Sequence, residues 1–171
     1  MNSKFIFFAL LAIGVVLVSG CISGKAPANS VADNITKSAQ KWLATPEGQE
    51  IYPNGIADKT VIIYNEDKEP YLWIVPIMKW DHMYIGHLLY NNKDSDTPYS
   101  YTEYSEPLDS IYSLSKDEAY SIFIGENPAY TPEQITEPII VARKGKGTYW
   151  MSEVIINGEI VKKLYKEVRI I

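Results

Sequence analysis

The sequence predicts an α+β domain with an antiparallel β-sheet and helices packed on one face of it. Three observations support this prediction. Near the start of residues 30–171, apolar residues recur at helical spacing and then alternate as they do in strands. A capping-box pattern at Ser115 indicates a second helix in mid-chain. The dipeptide Asn157-Gly158, flanked by branched and aromatic residues, predicts a β-hairpin near the end.

The first half begins with a predicted helix over residues 30–43, capped by Asn29 or Ser30. One apolar stripe follows its spacing: Val31, Ile35, Ala39, Trp42 and Leu43. After a turn at residues 52–55, strands are predicted at 59–64, 71–78, 83–90 and 99–104. Pro76 indicates an edge position or a bulge in the second of these strands.

The second half repeats this plan, with a helix after Ser115 and strands at 139–143, 148–156 and 159–170. A two-residue turn at Asn157-Gly158 predicts the hairpin register. Its pairs are Ile156–Glu159, Ile155–Ile160, Val154–Val161, Glu153–Lys162, Met151–Leu164 and Trp150–Tyr165. One interpretation is two helix-plus-three-strand units, in residues 30–105 and 106–171, although the sequence identity between them is weak.

Residues 1–20 have the pattern of an export signal. Lys4 precedes an apolar run over residues 5–18, which is shorter than the roughly 20 residues that a spanning helix needs. The motif Val18-Ser19-Gly20-Cys21 follows, and it resembles the lipobox of prokaryotic lipoproteins. The resemblance implies a diacylglyceryl-type lipid, or an archaeal diether equivalent, on the Cys21 sulfur. It also implies cleavage between Gly20 and Cys21.

Two other interpretations of this segment stay open: an uncleaved N-terminal anchor reaching Ile22, and a secretory signal with a chance cysteine. Cys21 is the only cysteine in the chain and stands where a lipobox needs it, which favours lipidation. Two lipid chains give stable anchoring. Small residues at 21–29 then predict a flexible tether. We therefore expect the domain at the extracytoplasmic face of the cell membrane, held by membrane lipid through Cys21.

Composition and charge narrow the functional classes. The chain is 46% hydrophobic and 22% charged, which is ordinary for a globular protein, and residues 30–171 are enough for one domain. The net charge of −5 argues against nucleic acid as a partner, because phosphate binding needs clustered cations. After Cys21 no cysteine is left for a disulfide, so the core alone must stabilise the exported fold.

No motif predicts a catalytic residue, a cofactor or a metal site. His82 and His87 are the only histidines, and no cysteine or repeated carboxylate accompanies them, which makes a poor zinc site. Acidic residues at 94–106 (Asp94, Asp96, Glu103 and Glu106) do not have EF-hand spacing, so a solvated loop is favoured over weak calcium binding. The Asn34-Ile35-Thr36 sequon lies inside a predicted helix and is interpreted as chance.

Aromatic residues are the candidate contacts, because the chain has 13 tyrosines and 4 tryptophans. Tyrosine offers a partner an apolar body with a polar tip. The candidates for contact with another surface protein are Tyr71, Trp73, Trp80, Tyr99, Tyr101 and Tyr104. The alternative is that these residues are frequent only because strands favour aromatic side chains.

Two segments carry a second resemblance. Residues 148–170, with the Asn157-Gly158-Glu159 turn, look like the hairpin of PepSY-type modules. Residues 61–90, with Tyr71-Leu72-Trp73-Ile74-Val75-Pro76 and then Gly86, are similar to propeptide-like domains that accompany secreted peptidases. The resemblance implies a cystatin-like fold with a helix on a sheet. It also implies a non-catalytic module that inhibits, chaperones or docks a partner.

These observations leave three functional hypotheses. The leading one is a non-catalytic, lipid-anchored binding or interaction module. The second is a lipoprotein that binds a small ligand or a carbohydrate, which would need a concave pocket lined by the aromatic residues. The third is a hydrolase that uses carboxylates such as Asp81 or Glu103, which would have to face each other in a cleft.

Overall fold

A computed structural model of the chain describes residues 28–79 and 82–171. The helices are α1 (Ala28–Leu43), α2 (Pro46–Ile51) and α3 (Lys116–Glu126), followed by a 3-10 turn at Pro132–Gln134. The strands are β1 (Ile56–Ala57), β2 (Val61–Tyr64), β3 (Pro70–Met78), β4 (Tyr84–Tyr90), β5 (Ser100–Leu108), β6 (Ile139–Arg143), β7 (Gly147–Ile156) and β8 (Glu159–Glu167). None of these helices is long and apolar enough to cross a membrane.

The strands form one sheet in the order β5-β4-β3-β2-β6-β7-β8, and β1 pairs with β3 beside β2. Neighbouring strands are antiparallel except for β2 and β6, which run parallel. The predicted α+β class with a mostly antiparallel sheet is therefore confirmed. The sequence did not predict that the two halves would meet at a parallel pair.

Helices α1 and α3 pack on opposite faces of this sheet. On the first, the α1 face, α1 covers a core that includes Trp73, Val75 and Leu88. On the second, the α3 face, α3 covers a core that includes Ile74 and Trp150. Residues 73–75 are consecutive on β3, so their side chains alternate between the faces. In this respect the structure differs from the expectation that the helices share one face.

The parallel pairing of β2 with β6 explains this arrangement. Helix α1 precedes β2 and its meander, and α3 precedes β6 and its meander. A half-turn about an axis along the β2–β6 seam exchanges the two halves of the sheet and also exchanges its faces. Each helix therefore covers a different face, and the apolar side chains that alternate along the central strands are buried on both.

Helix α3 begins at the predicted capping box. Ser115 Oγ accepts a hydrogen bond of 3.3 Å from the Glu118 N–H, and Glu118 Oε2 accepts one of 2.9 Å from the Ser115 N–H. Two donors at the start of the helix are thus satisfied by local side chains. Helix α1, in contrast, begins at Ala28, so neither predicted cap residue stands at its start.

The β7–β8 hairpin contains a bulge that the predicted register lacks. Its first two pairs, Ile156–Glu159 and Ile155–Ile160, are confirmed. The later predicted pairs are wrong by one residue, because the register shifts and Ser152 then pairs with Leu164. The extra residue turns Leu164 into the α3 core, where a regular strand would place Lys163. Burial of a leucine in place of a lysine is the physical reason for the bulge.

Pro76 lies in a central strand, at a break in the pairing on one side. Strand β2 pairs with β3 as far as Val61–Ile74, and β1 resumes the pairing at Ala57–Ile77. Between these two pairings, the Pro76 carbonyl accepts a hydrogen bond of 2.9 Å from the Asp58 N–H. Pro76 has no N–H to return a bond to Asp58, so the proline limits this antiparallel pair to one ladder hydrogen bond, at the point where β1 gives way to β2.

The β2–β3 turn ties the two halves together. Lys68 makes an ion pair with Glu153 on β7, and Glu66 accepts a hydrogen bond of 2.8 Å from Arg143 Nε on β6. Glu153 is 3% exposed, and its Oε1 has no hydrogen-bond partner among the described residues. The halves are therefore joined by charged side chains as well as by the β2–β6 pair.

Candidate functional site

A pocket of about 560 Å³ opens at the β5 edge of the sheet, between α1, α2 and the β4–β5 loop. We call it the edge pocket, and it is lined by Trp42, Glu47, Thr97, Pro98, Tyr99, Ser100 and Tyr101. Its volume lies in the usual range for sites that bind a small molecule or a side chain. The edge pocket combines aromatic walls with the aliphatic hydroxyl groups of Thr97 and Ser100 and the carboxylate of Glu47.

Trp42 and Tyr101 on the α1 face line the edge pocket, and the buried ring of Tyr52 supports Tyr101 from behind. The Trp42 and Tyr101 ring centres are 6.3 Å apart with an angle of 33° between the rings, and Tyr52 meets Tyr101 edge-on at 6.4 Å. Trp42 is 5% exposed, whereas Tyr101 is 44% and Tyr99 is 71% exposed. The buried rings thus hold Tyr101 in place while its outer side stays open to a ligand.

Tyr52 fixes this wall to the edge of the sheet. Its phenol donates a hydrogen bond of 2.6 Å to the Thr102 carbonyl on β5. Burial, and secondarily the Glu103 carboxylate, holds the pKa of the Tyr52 phenol well above its usual value, so it stays a neutral donor. Gly86 leaves room for the ring, because a Cβ there would lie 2.6 Å from Tyr52 Cε1 and 2.3 Å from the Thr102 carbonyl oxygen.

The α1–α2 connection sets the position of Trp42 and Glu47. Thr45 Oγ1 donates a hydrogen bond of 2.7 Å to the Trp42 carbonyl and accepts one of 3.2 Å from the Gly48 N–H. The same hydroxyl therefore caps the end of α1 and the start of α2. A Cβ on Gly48 would lie 2.3 Å from the Trp42 carbonyl oxygen, so only glycine allows this close approach. Glu47 therefore reaches the pocket from the first turn of α2.

Strand β5 forms one edge of the described sheet, beside the edge pocket. It carries Glu103 and Glu106 and no cation between Ser100 and Leu108. An edge strand presents N–H and C=O groups that another extended chain can pair with. The pocket and the strand edge together offer a side-chain site next to a backbone site.

The predicted contacts fall into separate places. Tyr99 and Tyr101 share the edge pocket, as their predicted position on a common face requires. Tyr104 lies on the opposite face, as predicted, where its hydroxyl is 2.9 Å from His87 Nδ1. Burial lowers the pKa of His87. Tyr71 is 61% exposed and lines a separate cavity of about 600 Å³ beside the β6–β7 turn.

The other candidates are not at a described surface site. Trp73 is 7% exposed and packs in the core under α1, so it is unavailable as a direct contact, contrary to the expectation. Trp73 is buried because helices cover β3 on both faces, whereas the sequence predicted helices on one face only. Trp80, Asp81 and the lipidation candidate Cys21 lie outside the described residues.

Sequence reasoning did not assign Trp42, Glu47 or Tyr52 to a site. Trp42 was counted with the apolar stripe of its helix, which is correct but incomplete, because one side of its ring faces the pocket. Glu47 and Tyr52 flank a turn and carry no local pattern. Their proximity to the site appears only in the folded chain, where Tyr52 contacts Thr102 on β5, 50 positions further along the sequence.

The acidic residues that were weighed for calcium do not converge. Asp94 lies in the β4–β5 loop beside Lys93, whereas Glu103 stands on β5. Within residues 28–79 and 82–171, no group of three or more His, Cys, Asp or Glu side chains is arranged to hold a metal ion.

A second cleft of about 420 Å³ lies on the seam between the halves, where β2 and β6 begin. Its polar groups include Asp58 and Tyr84, and the Tyr84 hydroxyl donates a hydrogen bond of 2.8 Å to Asp58 Oδ2. Burial and this hydrogen bond raise the pKa of Tyr84 to about 12. Because these two groups already satisfy each other, the cleft offers a ligand less than the edge pocket does.

Comparison of the chain with protein-family models, with curated proteins and with solved structures finds no match.

Proposed function

We propose that this protein is an extracytoplasmic lipoprotein, anchored through lipid on Cys21, that acts as a non-catalytic binding module. Its partner is an extended segment of a surface protein. The segment adds to the β5 edge and places one apolar side chain in the edge pocket. The observation that carries this proposal is the aromatic pocket beside an edge strand. Strand addition supplies affinity through main-chain hydrogen bonds, and a neighbouring pocket supplies specificity.

The charges of the site favour a basic segment. Glu47 lines the pocket, and Glu103 and Glu106 project from β5. Charge complementarity of this kind raises the association rate and excludes acidic competitors. The exposed half of the Tyr101 ring supplies the apolar contact, as aromatic side chains do at the centre of many interfaces.

Amide hydrogen exchange on the full chain in detergent micelles tests this proposal. The probes are synthetic peptides in which apolar and lysine residues alternate, with matched peptides in which glutamate replaces lysine. The lysine peptides should slow exchange of the outward-facing β5 amides, and the glutamate peptides should not. Protection elsewhere with no change in β5 would overturn the proposal.

A pair of tyrosine variants provides the matched control. Tyr101→Ala should weaken binding of the lysine peptides by about tenfold, the loss expected for one central aromatic contact. Tyr71→Ala removes another exposed tyrosine, from a different cavity, and should leave binding unchanged. Equal effects of the two substitutions would show that the edge pocket has no special role.

A carbohydrate ligand is the second candidate, and the composition of the pocket favours it. Tyr99 and Tyr101 offer aromatic surface, and the hydroxyls of Thr97 and Ser100 with the Glu47 carboxylate offer hydrogen-bonding partners. Sites for small polar ligands combine such elements. Titration with short neutral oligosaccharides separates the candidates: a sugar should alter exchange around the pocket but leave the amides in the middle of β5 unprotected.

A further inference from the structure

The two edges of the described sheet carry opposite charges. Strand β5 has two glutamates and no cation. Strand β8 has three lysines in its middle, Lys162, Lys163 and Lys166, and one glutamate at each end, so its excess charge is positive. Lys162 bonds Asn127 and Lys166 bonds Glu126, both on the α3 side. Lys163 lies on the other face, where its Nζ donates a hydrogen bond of 3.4 Å to the Glu66 carbonyl. Within the described residues, no strand pairs with the outer side of β5 or β8.

The topology also makes the two edges antiparallel to each other. Five of the six steps from β5 to β8 across the sheet are antiparallel, and only the β2–β6 step is parallel. An odd number of reversals separates the edges, so β5 and β8 run in opposite directions. A second copy that continues the sheet therefore places its β8 antiparallel to β5 of the first.

The faces match in this arrangement as well. Glu103 lies on the α1 face, since it pairs with Gly86 beside Tyr52. Lys163 pairs with Glu153, and the next residue, Val154, is in the α3 core. Neighbouring residues of a strand point to opposite faces, so Lys163 lies on the α1 face of the sheet, like Glu103. An antiparallel register that sets Glu103 opposite Lys163 also sets Tyr101 opposite Tyr165. Opposite charges and aromatic pairs at directly opposed positions stabilise a sheet.

We propose that the basic extended partner of the β5 edge is the β8 edge of a second copy of this chain. The inference rests on the proposed function, because it names the partner of the same site. The contact is heterologous, so each copy keeps one free edge and further copies can add. Because sheets twist, each added copy is rotated relative to the one before it. Copies that are all anchored to one membrane through Cys21 can follow this rotation over only a few additions, so the assemblies stay short.

Thiol cross-linking of the full chain in native membranes tests the contact. The variant with Ser100→Cys on β5 and Lys166→Cys on β8 carries thiols that the proposed register sets opposite each other. Within one chain these positions lie on opposite edges of the sheet. A short bis-maleimide should give dimers and higher oligomers from the double variant. Co-expressed single variants should give dimers alone, because each chain then contributes one edge.

Charge reversal identifies the pairing. Glu103→Lys and Lys163→Glu should each reduce the cross-linked fraction severalfold, and a chain that carries both should recover it. Lys144→Glu is the matched control, because it makes the same charge change on the β6–β7 turn, away from both edges. The control should cross-link like the parent double-cysteine chain.

Four results would overturn this proposal: cross-links no more abundant than in the unsubstituted chain, cross-links from Ser100→Cys alone, insensitivity to both charge reversals, or equal loss with Lys144→Glu. The peptide experiment on β5 distinguishes the second copy as partner from the binding module in general. Protection of β5 by lysine peptides without any cross-linking would refute the second copy and leave the binding module standing. Failure of both experiments would refute the module as well.

Discussion

The Tyr52 hydroxyl donates a hydrogen bond of 2.6 Å to the Thr102 carbonyl, which joins the end of α2 to the edge strand β5. The two residues are 50 positions apart in the chain, and the bond lies beneath the exposed ring of Tyr101. This contact connects the buried core of the first half to the site at its edge.

Tyr52→Phe should destabilise the fold by about 1–2 kcal/mol, because the substitution leaves the shape of the core intact but removes the donor from a half-buried carbonyl. Urea unfolding of the full chain measures the change. Tyr99→Phe, which removes a hydroxyl from a ring that is 71% exposed, is the matched control and should change stability little. An equal loss in both variants would contradict the role assigned to the bond.

Lys68→Met should destabilise the fold by about 3 kcal/mol, because it leaves the buried Glu153 carboxylate without its cation. Glu153→Gln in the same chain should restore most of this loss, since the remaining group is then neutral. The unfolding free energies of the parent chain, the two single variants and the double variant form the required cycle. Additive effects would show that the ion pair contributes no coupling.

Stability should fall as the pH drops below about 6.5, the ordinary pKa of histidine. Burial lowers the pKa of His87 in the folded chain, whereas the Ile171 backbone opposes this shift in part. The unfolded chain therefore binds the proton first, and stability is lost from the unfolded pKa down to the folded one. Denaturation midpoints across this range should show the decline.

Two histidine substitutions separate His87 from the other groups that titrate. His87→Gln should flatten the decline, because no ionisable ring remains at the buried position. His82→Asn should preserve it: His82 is exposed, and asparagine tolerates its positive φ of 64°. A decline of the same size in all three chains would assign the pH dependence to other groups.

Cys21→Ser should leave an unprocessed precursor that no longer incorporates labelled lipid, because a hydroxyl cannot replace the thiol as the site of attachment. Metabolic labelling followed by electrophoresis measures both properties. Ser23→Ala, two residues further on, is a control and should be processed and labelled normally. Persistent lipid labelling of Cys21→Ser would contradict the proposal that the protein is a lipoprotein.

Much of the fold could be predicted because its signals are local. The capping box at Ser115, the Asn157-Gly158 turn and the apolar stripe of α1 involve residues that are close in the chain, and each is present. The candidate site was predicted in part, since Tyr99 and Tyr101 do share a pocket. Its other lining residues, Trp42 and Glu47, could not be assigned to it, because their position beside β5 depends on packing between distant segments.

The α+β class, the order of the longer helices and strands, and the place of the hairpin follow from the sequence, because hydrophobic periodicity and turn residues act over a few positions. The short elements α2 and β1 were not predicted. The tertiary structure alone decided the parallel β2–β6 seam and with it the opposite placement of α1 and α3. It also decided the bulge that buries Leu164 and the antiparallel relation of the β5 and β8 edges. These features depend on which strands meet across the sheet, and long-range pairing leaves no mark in the local pattern of either strand.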